Sequence, residues 1–215
     1  MKSQDSLPPG SPRFRGISFA RARSGGPAPA EGWRRLLHLA CAAPAFLLRD
    51  FPPWLPAACV AMALLAHWAV VAGGIRPAVM RPGERWWSGA VAFAVGVLLA
   101  LAVLPPEAAF AGWIVLASGD PAASFVGRCL PLRGLLPGRS LGGTVAFALA
   151  AFCALGVSLA WWHGAPPGPD RLAVIAVVAA AGALAELLLW RIDDNLVVPL
   201  VAGAAHLVAC AGFFA

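Results

Sequence analysis

The sequence predicts an all-α protein, a polytopic transmembrane bundle of about seven helices with its N-terminus in the cytoplasm. Three observations carry that reading. Hydrophobic residues make up 60% of the 215 and charged residues only 12%, about half the charged share of a soluble domain. The apolar residues fall into long runs separated by short Pro-, Gly- and Arg-bearing breaks. No run alternates with period two, and an isolated backbone amide is costly in lipid, so helices are the economical way to cross.

The elements follow in order. Residues 1–32 are rich in Pro, Gly, Ser and Arg without apolar period and read as a disordered basic cytoplasmic tail. Residues 33–215 form the membrane domain, with apolar segments near 35–48, 54–75, 87–104, 107–118, 141–162, 171–190 and 196–215. A helix of ~20 residues rises ~30 Å and crosses the hydrocarbon core. The first and fourth segments fall short of that and are expected either to extend into their flanks or to enter the membrane only partly; the first, which carries a proline, is a candidate broken helix. Tryptophans 33, 54, 86, 87, 161, 162 and 190 sit at segment ends as an interfacial belt, while Trp68 and Trp113 lie deeper and read as packing residues.

The cations set the orientation. With seven crossings and the N-terminus inside, fourteen of the sixteen Lys and Arg residues face the cytoplasm and only Arg49 and Arg171 lie outside. The basic balance is therefore explained by topology, and nucleic-acid binding is not expected. The five cysteines have neither the spacing of a zinc module nor that of a disulfide scaffold. The alanine-rich composition suggests a bacterial source, which places the chain in a bacterial inner membrane.

In such a chain the few polar residues are informative. Two clusters stand out, both on the expected cytoplasmic side. The first, 118–143, contains Gly119, Asp120, Gly127, Arg128, Arg133, Gly138, Arg139, Ser140, Gly142 and Gly143. It reads as a loop whose glycines admit close approach, with Arg forks and a hydroxyl suited to phosphate oxygens. Its alternative is an ordinary polar connection. The second joins Glu186 to Asp193, Asp194 and Asn195. Carboxylates near a membrane surface need a cation, and hard oxygens suit Mg²⁺; the alternative is a helix stop beside Arg191. His38, His67 and His206 read as buried packing residues ahead of functional ones, and His163 as solvated.

GDPAASFVGR, GRSLGGT and E…DDNLVVP in this order resemble the phytol kinase/dolichol kinase family of CTP-dependent lipid kinases, a group related to the phosphatidate cytidylyltransferases. RRLLHL at 34–39 is similar to the family's Arg-Lys-x-x-His opening. The resemblance covers roughly residues 33–210. It implies γ-phosphate transfer from CTP to a membrane lipid alcohol (phytol, farnesol, dolichol or another polyprenol) at the cytoplasmic face, with a divalent cation. It assigns Asp120 and Asp194 to catalysis. Gly119, Gly127, Arg128, Arg139, Ser140, Gly143 and Asn195 would bind nucleotide phosphate, and Asp120, Asp193 and Asp194 would hold Mg²⁺. Two residues depart from the family pattern: Arg139 stands where Lys is usual, and Gly142 where a carboxylate is usual. The competing expectations are CMP transfer to a lipid phosphate and a non-catalytic membrane protein or transporter.

Overall fold

The computed structural model describes residues 29–75, 88–130, 136, 139–189 and 192–213. The expected tail falls almost wholly outside the described residues, as do Trp86, Trp87, Arg133, Gly138, Trp190 and Arg191. Seven α-helices and one 3-10 helix follow one another: α1 (Pro29–Ala40), the 3-10 helix (Ala43–Leu48), α2 (Trp54–Ala72), α3 (Gly89–Val103), α4 (Pro106–Cys129), α5 (Leu141–His163), α6 (Pro169–Leu188) and α7 (Asp194–Phe213). There is no strand among the described residues, only an isolated bridge between Leu136 and Arg139. Helices α2, α4, α5, α6 and α7 are long and apolar enough to cross a membrane, and α3 is a shorter apolar helix. The chain is a multi-pass membrane protein.

Local chemistry explains where the helices begin and end. Ser88 and Ser140 take extended backbone and cap α3 and α5, accepting hydrogen bonds from the backbone N–H groups of Val91 and Gly143. Helices α4 and α6 start on a proline, whose missing N–H is no loss in a first turn. Gly164 closes α5 with a left-handed φ of 68°.

Helix α4 is the axis of the bundle. It packs against α5, α7, α6, α3, α1 and the 3-10 helix, and Phe110, Trp113, Val115 and Leu116 are fully buried in it. Small residues let the neighbours come close. A Cβ at Gly112 would collide with the Pro199 carbonyl of α7, and one at Gly203 would lie 2.7 Å from the Ala108 carbonyl of α4. These paired glycines set the α4–α7 contact through backbone proximity, as small residues do in membrane bundles. Helix α2, by contrast, is mostly exposed and presents Met62, Leu65 and Val70 outward, as a lipid-facing helix does.

The two segments expected to be short resolve differently: one extends into its flank, correcting the loop expected there, and the other is broken, as its proline suggests. The fourth does not stop at 118 but runs to Cys129, so residues 119–129 are helical and Pro121 sits inside the helix. Pro121 removes only the bond back to residue 117, and the turns on either side hold. The first segment is broken: α1 ends at Ala40 and the 3-10 helix begins at Ala43, one residue ahead of Pro44. The indole N–H of Trp113 donates to the Cys41 carbonyl at 3.0 Å, partnering a backbone oxygen released by the break. At the far end of this broken segment, Arg49 donates to the Trp161 carbonyl at 2.8 Å and lies 4.9 Å over its ring.

Candidate active site

The polar residues gather at the two ends of the bundle. At one end Glu107, in the first turn of α4, meets His163 of α5 at 2.9 Å and His206 of α7 at 3.6 Å. A cavity of about 260 Å³ lies beside them, lined also by Arg171 and Cys210. The other end holds the residues singled out from the sequence, brought together from α1, α4, the α4–α5 connection, α6 and α7.

Arg139 is the centre of that second group. It sits just before the α5 cap, and its guanidinium spans two carboxylates. Nη1 donates to Glu186 Oε1 of α6, and Nη2 donates to Asp194 Oδ2 of α7 at 2.8 Å. Burial opposes the charge on Arg139, but the hydrogen bonds and negative charge of Asp194 and Glu186 outweigh it and hold the pKa above its ordinary value. The planar fork allows this double grip; a lysine ammonium is a point charge without that geometry.

Asp194 opens α7, and its carboxylate lies at the helix N-terminus, where the aligned peptide dipoles favour an anion. The Asn195 N–H donates to Asp193 Oδ1 at 3.1 Å and to Asp194 Oδ1 at 2.9 Å. The adjacent acids are thus tied to one turn, each through one oxygen. Beside Asn195 stands Gly89, the first residue of α3, where a Cβ would lie 3.5 Å from the Asn195 amide nitrogen.

Asp120 projects from α4 toward His38 of α1, with Oδ2 at 3.4 Å from Nδ1. The charges of both Asp120 and Asp194 act on His38 and on Glu186, so the His38–Asp120 pair and the Arg139 triad form one electrostatic cluster. Three buried side-chain atoms among the described residues have no hydrogen-bond partner: His38 Nε2, Glu186 Oε2 and Asn195 Oδ1. All three belong to this cluster. Unpaired buried polar atoms cost about 1–3 kcal/mol each, and their concentration in one place makes it the candidate ligand site.

The glycines and Ser140 do visible packing work. Gly119 lies against the Phe147 ring of α5, where any Cβ would overlap it. Gly127 and Gly143 bracket the Ser140 hydroxyl: a Cβ would lie 2.8 Å from it at Gly127 and 3.1 Å at Gly143. The end of α4 therefore closes on the start of α5 around the cap. Arg128 folds back along its own helix, its Nε donating to the Ser124 carbonyl at 2.8 Å. Arg35 of α1 donates to the Ser124 hydroxyl at 3.2 Å and lies over the Phe125 ring.

Sequence reasoning ranked two members of the cluster too low. His38 was read as packing, yet it is the residue facing Asp120. Glu186 stood outside the residues assigned a role, yet it holds Arg139. The signal for Glu186 was available, since an acid late in an apolar helix is expensive without a partner.

Among the described residues no group of three or more His, Cys, Asp or Glu side chains is arranged as a metal cage. Mg²⁺ does not need one, because it takes one or two carboxylates and completes its shell with phosphate oxygens and water. The oxygens of Asp193 and Asp194, tied to one turn, suit it chemically, but the expected trio of Asp120, Asp193 and Asp194 is not gathered into one such group.

The chain is similar to the CTP-dependent diacylglycerol kinase 1 of Schizosaccharomyces pombe (strain 972 / ATCC 24843). The two are 32% identical over 137 residues, covering 57% of this chain and 61% of that protein. The chain thus spans about three-fifths of the length of this curated relative. The similarity bears out the resemblance to CTP-dependent lipid kinases carried by the motifs; the alcohol in the relative's name is diacylglycerol, not phytol or dolichol. No family model matches the chain, and no solved structure matches it.

Proposed function

We propose that this chain transfers the γ-phosphate of CTP to the hydroxyl of a membrane lipid alcohol, releasing CDP and a lipid monophosphate at the cytoplasmic face. One observation carries the reading: an arginine fork, the carboxylates of Glu186, Asp194 and Asp120, and three unpartnered buried polar atoms converge from five parts of the fold at one end of a membrane bundle, in a chain similar to a CTP-dependent lipid kinase. The relative's name favours diacylglycerol as the alcohol, with the prenols as the other candidates. The distribution of Lys and Arg supports placing this end of the bundle in the cytoplasm, whether the membrane is bacterial or not.

Phosphoryl transfer asks for charge neutralisation and alignment more than covalent chemistry. Arg139 commits one N–H of each terminal nitrogen to the carboxylates, and the rest of its donors suit γ- or β-phosphate oxygens. Glu186 and Asp194 hold the fork in place before the nucleotide arrives, so its orientation is set in advance. Asp120 with one or both of Asp193 and Asp194 would hold Mg²⁺, which when bound would neutralise phosphate charge. Asn195 is placed to contact the nucleotide or the metal through Oδ1. Ser140 and the first N–H groups of α5 lie next to Arg139 and would complete the phosphate contacts.

The deciding assay uses purified protein with Mg²⁺, labelled CTP or ATP, and a panel of diacylglycerol, farnesol, phytol and dolichol. CDP with a phosphorylated lipid is expected, and Asp120→Asn and Asp194→Asn each lower turnover by about 100-fold or more. With phosphatidate added to the panel, pyrophosphate release and a CDP-lipid formed from it, with no alcohol phosphorylated, would overturn the kinase reading in favour of CMP transfer. Near-normal turnover in both variants would overturn the site.

A further inference from the structure

The wall of the site formed by α1 gives its lipid-facing side a definite chemistry. Helix α1 has two faces. Trp33, Leu36 and Leu39, spaced three apart, are exposed apolar side chains. Arg35 and His38, also three apart, turn to α4 and meet Ser124 and Asp120. The helix thus stands between a lipid-facing surface and the carboxylate cluster, while Arg139 enters that cluster from the start of α5 and is held there by Glu186 of α6 and Asp194 of α7.

The state of the His38 ring follows from its partner. A carboxylate only accepts hydrogen bonds, so the Nδ1 that faces Asp120 carries the hydrogen. In the neutral ring Nε2 is then an acceptor, and it is one of the three buried atoms without a partner. The Phe93 ring of α3 packs edge-on against the imidazole at 4.7 Å, an apolar contact that supplies no donor. What fits is a ligand that brings a hydrogen-bond donor. At the reacting end of the nucleotide the triphosphate offers only acceptors, whereas the acceptor alcohol offers a hydroxyl.

We infer that His38 binds the substrate lipid: its Nε2 accepts a hydrogen bond from the lipid hydroxyl, while Asp120 holds the ring through Nδ1. This rests on the kinase reading above and names the residue that orients the lipid in it. Asp120 then serves the acceptor as well as the metal, through different oxygens, and α1 is the element that presents the alcohol to the nucleotide.

The test uses full-length protein with Mg²⁺ and either CTP or β,γ-imido-CTP, with 1,2-dioctanoylglycerol and its 3-O-methyl ether, which lacks the hydroxyl hydrogen. The wild type prefers the alcohol over the ether by about tenfold in binding, the worth of one hydrogen bond. His38→Asn, whose amide reaches the Nδ1 position but not Nε2, binds alcohol and ether alike. Its kcat/KM for the lipid falls by about 100-fold, the scale of a misplaced reactant, and its affinity for β,γ-imido-CTP stays within about twofold. His38→Gln, whose amide reaches the Nε2 position, recovers part of the preference. An alcohol preference that survives in His38→Asn, or nucleotide affinity that falls in step with it, overturns the inference. If His38→Asn does not fold, the wild type decides alone, since equal binding of alcohol and ether sinks the idea. A wild type that makes no lipid phosphate from any alcohol of the wider panel overturns the kinase reading itself, and this inference with it.

Discussion

Arg139 stands between Glu186 and Asp194, and it is the residue on which the cluster's stability and chemistry meet. Removing it leaves two mostly buried carboxylates facing each other without their cation. Arg139→Ala should therefore cost about 3 kcal/mol, as breaking a buried ion pair from one side does. Adding Glu186→Gln should restore part of the loss, and thermal unfolding in detergent reads both. Arg139→Lys keeps the charge but not the double grip, so the fold should survive while kcat/KM for CTP drops by about tenfold. A variant series in which Lys and Arg behave alike would show that the fork geometry is unimportant.

At the scale of the element, the close approach of α4 and α7 positions the acids they carry. Asp120 lies on α4, and Asp193 and Asp194 lie at the head of α7. Gly112 sets the separation of these helices at the Pro199 carbonyl. Gly112→Leu should force them apart, destabilising the protein by about 1–3 kcal/mol and lowering turnover more than nucleotide affinity. Turnover and affinity that fall equally would mean the helix spacing does not tune the site. The broken first segment plays a complementary part. Its break lets α1 turn His38 inward at one end while Arg49 reaches Trp161 at the other, which one straight helix of that length would not do as well.

For the whole molecule, the outline of the bundle was legible in the sequence because membrane helices announce themselves by apolar length. Six of the seven segments end within a few residues of the observed helices. The exception, the fourth, was cut short at 118 because GDPAASFVGR resembles a loop by composition. In the structure its glycines pack against Phe147 and Ser140, which only the neighbouring helix reveals. Asp120, Arg139 and Asp194 could be picked out by their charge. Their pairing could not, because Glu186 and His38 come from helices distant in the chain and no local period links them. Sidedness is open to direct measurement. With Cys129 kept as the sole cysteine (it is exposed at the end of α4), a membrane-impermeant thiol reagent should label it only from the cytoplasm. Labelling from the outside would invert the topology.

Glu107 and Asp120 lie on the same helix, one in each of the two polar clusters. At the ~1.5 Å rise of an α-helix they are about 20 Å apart along the axis, well short of the ~30 Å hydrocarbon thickness of a typical bilayer. A membrane that surrounds this bundle has to dimple, or else the acids sit below the glycerol level of the lipids. Either way the candidate site is sunken, and on the proposed function a lipid headgroup meets it without rising toward water. Turnover should then be faster in thin membranes than in thick ones, because thin lipids need less deformation. Reconstitution into phosphatidylcholines of 14-carbon and 22-carbon chains, with the same short-chain acceptor, should show higher turnover in the former.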